Sequence, residues 1–281
     1  MMNVLITGIN GFLGKQIYNR IKNEHTIAGV YHKNIDHDYF DDCQLIPSDS
    51  LAGISQTPEV IILTHAAVSS GSQHRSNDDL YESNVKFTQQ IVDLFPTSYF
   101  IYISSASVYG LNNSVINENT LPNPLSAYAV SKLWAERVVL NKTKSCVLRL
   151  TSVFGEFMQE GTIIPNYVNQ ALTTKTIQVW GSGNRRQNYI HVKEVTDYVF
   201  SLIKTQHEGI FLAASSTDLS NIELAQIISN HTGASIEFVK EDYSPSLLYD
   251  NNTTKQKLSI THLNDTQNQL ISYIEWKRKQ F

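Results

Sequence analysis

Tyr128 and Lys132 stand four residues apart in a stretch, Ala127–Leu140, whose pattern predicts a helix, so their side chains share one face. A free tyrosine titrates at about 10 and is a poor acid–base at neutral pH. An ammonium one turn away favours the phenolate and draws that pKa toward the working range. The run Ser104-Ser105-Ala106-Ser107 sits just past a predicted strand, Tyr99–Ile103, where a hydroxyl could polarise a substrate carbonyl. Such a set can move a proton while a carbon–oxygen centre is oxidised or reduced. The spacing also arises by chance, in which case Lys132 pairs with Glu136 on the helix surface and the serines are a polar loop. Val130, Leu133, Trp134 and Val138 are expected to form the buried stripe of this helix.

A second constellation opens the chain. Gly8, Gly11 and Gly14 directly follow the apolar run Val4-Leu5-Ile6 and enter a helical pattern over about 14–22. A turn of this kind lets a pyrophosphate approach the backbone, and the helix N-terminus offers unpaired N–H groups and partial positive charge. The alternative is a glycine turn without a ligand. The strand before it, the helix after it and a second strand, Thr26–Tyr31, favour a dinucleotide. Where many NAD enzymes carry a carboxylate for the ribose, the end of that strand reads Tyr31-His32-Lys33. His32 and Lys33 could accept a 2′-phosphate, so the cofactor expected is NAD(P), leaning to NADP(H). NAD held through backbone contacts is the other reading.

The elements that must position these groups alternate. Apolar runs recur at Val60–Leu63, Tyr99–Ile103 and Cys146–Leu150, with helical patterns at Ser83–Leu94 and Ala127–Leu140 between them. The fold class expected is α/β, a Rossmann-type doubly wound parallel sheet with a smaller C-terminal substrate-binding region. Residues 1–155 form the cofactor-binding body; 156–281 are mainly substrate-binding, with about 188–213 returning to the body. Ser220-Asn221 offers an N-cap for a helix over Ile222–His231, and 265–279 reads as a final surface helix.

The 281 residues carry a net charge of −4, which gives no footprint for nucleic acid or an anionic membrane. Cys43 and Cys146 make no metal or redox pattern and are expected to be buried thiols. The first residues lack the zones of a secretory signal, and no apolar run approaches the roughly 20 residues of a membrane span. A cytoplasmic location is expected, with no nucleic-acid or membrane partner and no metal.

Together these segments resemble the extended short-chain dehydrogenase/reductase family, in its nucleotide-sugar epimerase, dehydratase and reductase branch. Gly8-Ile9-Asn10-Gly11-Phe12-Leu13-Gly14 is similar to its cofactor fingerprint, and Ser105-Ala106-Ser107-Val108-Tyr109-Gly110 to its strand-end signature. Pro124 through Lys132 resembles its catalytic helix entry. Later landmarks are Leu148-Arg149, Val153-Phe154-Gly155, Asn188 through Val192, Asp250 through Leu258, and Tyr273 through Trp276. The resemblance implies that Tyr128 is the acid–base, Lys132 its electrostatic partner and ribose ligand, and Ser105 the carbonyl hydrogen-bond donor. It puts Asp49 at the adenine, the Ala66 and Ala67 backbone along the cofactor, and Asn84 in the adjoining helix. It also implies dimerisation through the helix pair that includes Ala127–Leu140.

The departures from the family pattern bear on the reaction. Ala106-Ser107 stands where dehydratases carry the Asp-Glu pair that removes water, which disfavours dehydration. Ser152 replaces an asparagine usual in UDP-sugar epimerases, and Gln187 replaces the usual diphosphate-binding arginine. Arg185 and Arg186 could substitute for it or be solvated turn charges. The substrate-facing set expected is Ser69, Ser107, Ser152, Arg185, Arg186 and Gln187. The leading expectation is a nucleotide-sugar ketoreductase. The alternative is a sugar 4-epimerase that retains NAD, and a non-catalytic Rossmann-fold binding protein is the reading from another class.

Overall fold

The computed structural model describes residues 1–68, 74–111, 115–142, 144–261 and 265–281. The chain begins as β1 (Asn3–Thr7), α1 (Phe12–Ile21), β2 (Thr26–Tyr31), β3 (Cys43–Pro47) and β4 (Val60–Leu63). A continuous helical run follows: α2 (Asn77–Leu80), a π-helical turn (Tyr81–Lys86) and α3 (Phe87–Leu94). Next come β5 (Tyr99–Ser105), α4 (Ala127–Leu140) and β6 (Ser145–Leu150). The uninterrupted apolar runs behave as strands covered on both faces should: all four residues of β4 and all six of β6 are buried. Among the described residues, seven strands form one parallel sheet in the order β10-β6-β5-β4-β1-β2-β3, where β10 is Gly209–Ala213. The order reverses between β1 and β4, the position at which sheets of this kind bind ligands beyond the C-terminal ends of their strands. This is the Rossmann-type doubly wound fold expected from the sequence.

Helix α4 corrects one expectation. Its buried residues are Ala129, Ser131, Lys132, Ala135, Glu136 and Val139, whereas Val130 and Trp134 are 48% and 54% exposed. Leu133 and Val138 are only partly buried. The helix turns its polar side inward because that side is satisfied there. Ser131 accepts from Asn84, Lys132 donates to the Ile103 carbonyl, and Glu136 accepts from Arg149 and Ser104.

The C-terminal part contains β7 (Ser152–Phe154), α5 (Ile163–Thr173), β8 (Thr176–Trp180), β9 (Arg186–His191) and α6 (Val192–Thr205). After β10 it adds β11 (Asp218–Ser220), α7 (Asn221–Thr232), β12 (Ser235–Val239), α8 (Asn252–Lys257) and α9 (Thr266–Arg278). Ser220 and Glu223 close a reciprocal capping box at the start of α7. Helix α9 is more than a surface helix: Leu270, Tyr273 and Ile274 enter a second core with Val168, Val179 and Ile228. The chain does not divide at one point, because β10 pairs with β6 and α6 packs on α1.

Cys146 is buried and Cys43 only half-buried, on a strand at the sheet edge; burial pushes both thiols up to about 12. Among the described residues no helix is long and apolar enough to cross a membrane, and no cluster of His, Cys, Asp and Glu could hold a metal.

Candidate active site

The glycine turn leaves β1 at Thr7. Gly8 has φ 68°, and a Cβ there would lie 2.9 Å from the His65 backbone; a Cβ on Gly14 would lie 2.7 Å from Ile9 Cα. Gly11 gives α1 no side-chain cap, so the first N–H groups of the helix lack an internal partner. Asn10 ties the turn to the end of β2 by donating to the Lys33 carbonyl at 2.6 Å. Phe12 and Leu13 open the helix half-buried. A turn too tight for side chains at Gly8 and Gly14, leading into an uncapped helix N-terminus, fits a pyrophosphate.

The rim continues along β2 and β3, where Tyr31 pairs opposite Pro47. Tyr31 is half-buried, His32 and Lys33 are exposed, and His32 Nδ1 lies 3.2 Å from Ser48 Oγ. Asp49 follows, exposed, accepting from the Ser50 hydroxyl at 3.0 Å. Beyond β4, Ala66 and Ala67 are half-buried. Asn84 grips Ala67 from both sides, accepting its N–H at 2.7 Å and donating to its carbonyl at 3.0 Å. It also donates to Ser131 Oγ at 2.9 Å. Asn84 is thus a bracket between the backbone that follows β4 and α4, with its side-chain bonds made within the protein.

Ser105, Tyr128 and Lys132 come together where β5 ends against α4. Ser105 Oγ accepts the Ser107 N–H at 3.1 Å. Burial pushes Tyr128 up to about 12, and the nearby Ser105 side chain works in the opposite direction. Lys132 is 2% exposed; its Nζ donates to the Ile103 carbonyl at 2.6 Å and lies 4.2 Å from the centre of the Tyr102 ring. Burial draws its pKa down to about 7, against the pull of Glu136. Two expectations change here. Lys132 and Glu136 are interior groups and not a surface pair, and the group that lowers the Tyr128 pKa is Ser105, because the ammonium is turned onto Ile103.

Sequence reasoning missed His65. Its Nδ1 lies 2.6 Å from Thr7 Oγ1 and its Nε2 lies 3.0 Å from Thr88 Oγ1. Thr88 already donates to the Asn84 carbonyl at 2.8 Å, so the ring must donate from Nε2 and accept from Thr7 at Nδ1. Desolvation, with the Lys132 charge second, holds this histidine neutral, its pKa lowered to about 3. The available signal was its place directly after β4, where sites form in such sheets. Glu136 and Arg149 were also missed as a pair; a lone arginine inside the apolar run Cys146–Leu150 was the clue.

The expected substrate residues lie on several elements. Ser107 is exposed past β5, and Ser152 is exposed at the start of β7 opposite Tyr189. Ser69 lies outside the described residues. Arg186 is engaged: it pairs with Glu223 at 3.1 Å and donates to the Asp218 carbonyl at 2.5 Å. Gln187 donates to Tyr189 Oη and Asn221 Oδ1. Arg185 Nε donates a long 3.4 Å hydrogen bond to the Pro245 carbonyl.

Comparison with known proteins places this geometry. A family model described as the NAD dependent epimerase/dehydratase family matches residues 4–214. The chain is 24% identical over 278 residues to a dTDP-D-glucose 4,6-dehydratase of Dictyostelium discoideum, covering 82% of this chain and 62% of the relative. It is 31% identical over 156 residues to the methionine adenosyltransferase 2 subunit beta of Danio rerio, covering 54% of this chain and 48% of the relative. The chain therefore spans less than two thirds of the length of these two relatives. In fold it is similar to MoeE5 in complex with UDP-glucose and NAD, with TM-score 0.87, 21% identity and 99% of both chains covered. It is similar too to the UDP-glucuronic acid 4-epimerase of Bacillus cereus with UDP-glucuronic acid and NAD, with TM-score 0.86, 18% identity and both chains fully covered at 100%.

Proposed function

The chain belongs to the NAD dependent epimerase/dehydratase family, and from that premise we propose that it is an NAD(P)-dependent oxidoreductase that reduces a keto group on a nucleotide-linked sugar. The observation that carries this reading is the gathering of Ser105, at the end of β5, beside Tyr128, with Lys132 one turn further along α4. A bound nicotinamide supplies the hydride. Gly8, Asn10, Gly11, Phe12, Leu13 and Gly14 hold the pyrophosphate, Tyr31, His32, Lys33 and Asp49 flank the adenosine end, and the Ala66-Ala67 backbone, braced by Asn84, lines the rest. Ser105 donates a hydrogen bond to the sugar carbonyl. Tyr128, kept protonated by burial, gives its proton to the alkoxide as that oxygen gains charge. Lys132 moves from the Ile103 carbonyl to the ribose, where its charge lowers the tyrosine pKa.

On this reading residues 1–155 hold the cofactor and 156–281 mainly the sugar nucleotide. Arg185 takes the diphosphate, since Arg186 is paired with Glu223; Ser69, Ser107, Ser152 and Gln187 contact the sugar or its phosphates. Ala106 and Ser107 offer no acid–base pair for removing water. The exposed His32 and Lys33, with no carboxylate at Tyr31, support NADP(H). A second reading, a 4-epimerase retaining NAD, is favoured by the solved relatives that hold NAD together with a UDP-sugar.

A panel of nucleotide sugars and keto-sugar nucleotides, assayed with NADH and NADPH, tests the proposal. Oxidation of NADPH only with a keto-sugar nucleotide supports it. Interconversion of sugar epimers with NAD⁺ released on denaturation would replace it with the epimerase, and a silent panel with cofactor bound would leave a binding protein. We further propose a homodimer. Tyr81 and Trp134 lie 5.4 Å apart between ring centres, tilted at 54°, on neighbouring helices, and with Val130 they leave an exposed apolar face for a second copy.

A further inference from the structure

Tyr102 lies on β5 directly beneath Lys132. The ring is fully buried, and its hydroxyl is buried without a hydrogen-bond partner among the described residues. An orphaned hydroxyl is a liability in an interior, so the ring is not held here for its polar end. Its face, however, meets the Lys132 ammonium at 4.2 Å from the ring centre. That ammonium has three protons to satisfy, and among the described residues its hydrogen-bond acceptor is the Ile103 carbonyl. The negative face of an aromatic ring is the natural second source of stabilisation for a desolvated cation. We infer that Tyr102 is a positioning residue: its ring face keeps the Lys132 ammonium charged where it rests at the end of β5, before the ribose is bound.

The other groups around Lys132 do not replace the ring. Glu136, one turn on, favours the charge, but its carboxylate is engaged by Arg149 and Ser104. His65 is neutral and bonded to Thr7 and Thr88. Tyr128 is kept protonated, and so uncharged, by burial. Removing the ring therefore leaves the ammonium with one carbonyl in a dry interior, and it should give up its proton at lower pH. The consequence for turnover rests on the proposed reaction, since a neutral lysine neither steadies a phenolate nor donates as strongly to a ribose.

The test follows the lysine itself and needs no substrate. Lysine carbon-13 NMR of the whole protein, with the Lys132 signal assigned by its loss in Lys132→Met, gives its titration in the wild type, Tyr102→Phe, Tyr102→Leu and Tyr102→Met. Tyr102→Phe keeps the ring and should titrate as the wild type does. The two aliphatic variants should titrate lower by about half a unit to one and a half units, and the alkaline limb of NAD(P)H affinity should move down with them. An unchanged or raised Lys132 pKa in both aliphatic variants overturns the inference, as does Tyr102→Phe falling as far as they do. A silent substrate panel would sink the proposed reaction while leaving this titration to stand or fall alone.

Discussion

Arg149 and Glu136 form a two-pronged ion pair inside the molecule, with Arg149 Nε 3.0 Å from Oε1 and a terminal guanidinium nitrogen 2.7 Å from Oε2, the side chains 2% and 1% exposed. The same carboxylate accepts from Ser104 at 2.5 Å. Helix α4 is thereby fastened to the ends of both β5 and β6, one turn beyond Lys132. Removing one partner strands a buried charge, so Arg149→Met or Glu136→Gln should each cost about 3–5 kcal/mol of stability. Replacing both with apolar residues should recover much of that loss. Urea unfolding of the singles and the double measures the difference.

Tyr128→Phe keeps the ring and removes the proton. Turnover should fall by about 10²- to 10⁴-fold, while cofactor affinity, measured by fluorescence, stays close to that of the wild type. Full activity in this variant would remove Tyr128 from the proposed chemistry.

The two arginines of the β9 turn should behave differently. Arg185→Ala is expected to weaken nucleotide-sugar binding at least tenfold, the loss of about one charge-assisted bond, with little change in melting temperature. Arg186→Ala should spare affinity and cost less than about 1 kcal/mol, since its pair with Glu223 is substantially exposed. Calorimetric titration with a UDP-sugar and thermal unfolding separate the two effects.

His65 gives the fold an acid-side dependence. Its folded pKa, about 3, lies below the unfolded value of about 6.5, so below the latter the unfolded chain binds the extra proton. Its contribution is present above that unfolded pKa and is lost as pH falls toward 3, at up to about 1.4 kcal/mol per pH unit. His65→Gln should unfold more easily at pH 7 yet lose less stability between pH 6.5 and 4.5 than the wild type. Parallel curves for the two proteins would count against a ring held neutral in the folded chain.

Trp134→Glu puts a charge on the exposed apolar face shared with Tyr81 and Val130. Sedimentation should show monomer for this variant and dimer for the wild type, with the melting temperature of the isolated chain little altered. A wild type that sediments as monomer refutes the dimer directly.

The doubly wound parallel sheet and the helix that carries Tyr128 and Lys132 were legible because they follow from local rules. Apolar runs such as Val60–Leu63 that alternate with helical patterns must be parallel strands, and residues four apart on a helix share a face. The orientation of α4 was not legible, because it depends on Arg149, which makes a buried Glu136 tolerable from across the fold. Nothing local distinguishes that helix from one with Val130 and Trp134 inside. The short edge strand β3 escaped notice for a related reason: Cys43, Gln44 and Leu45 are not fully buried, so no clean apolar run marks it. His65 was invisible because its partners, Thr7 and Thr88, lie 58 and 23 residues away in sequence.

Strand β10 has a practical corollary for protein engineering. It lies beside β6 at the edge of the parallel sheet, yet the chain reaches it only after threading through β7, α5, β8 and β9. A graft that exchanged everything after residue 155 for the corresponding part of another enzyme would also import that edge strand and α6, which packs on α1. A chimera designed to alter specificity therefore calls for two separate inserts, with Val192–Ala213 left native between them.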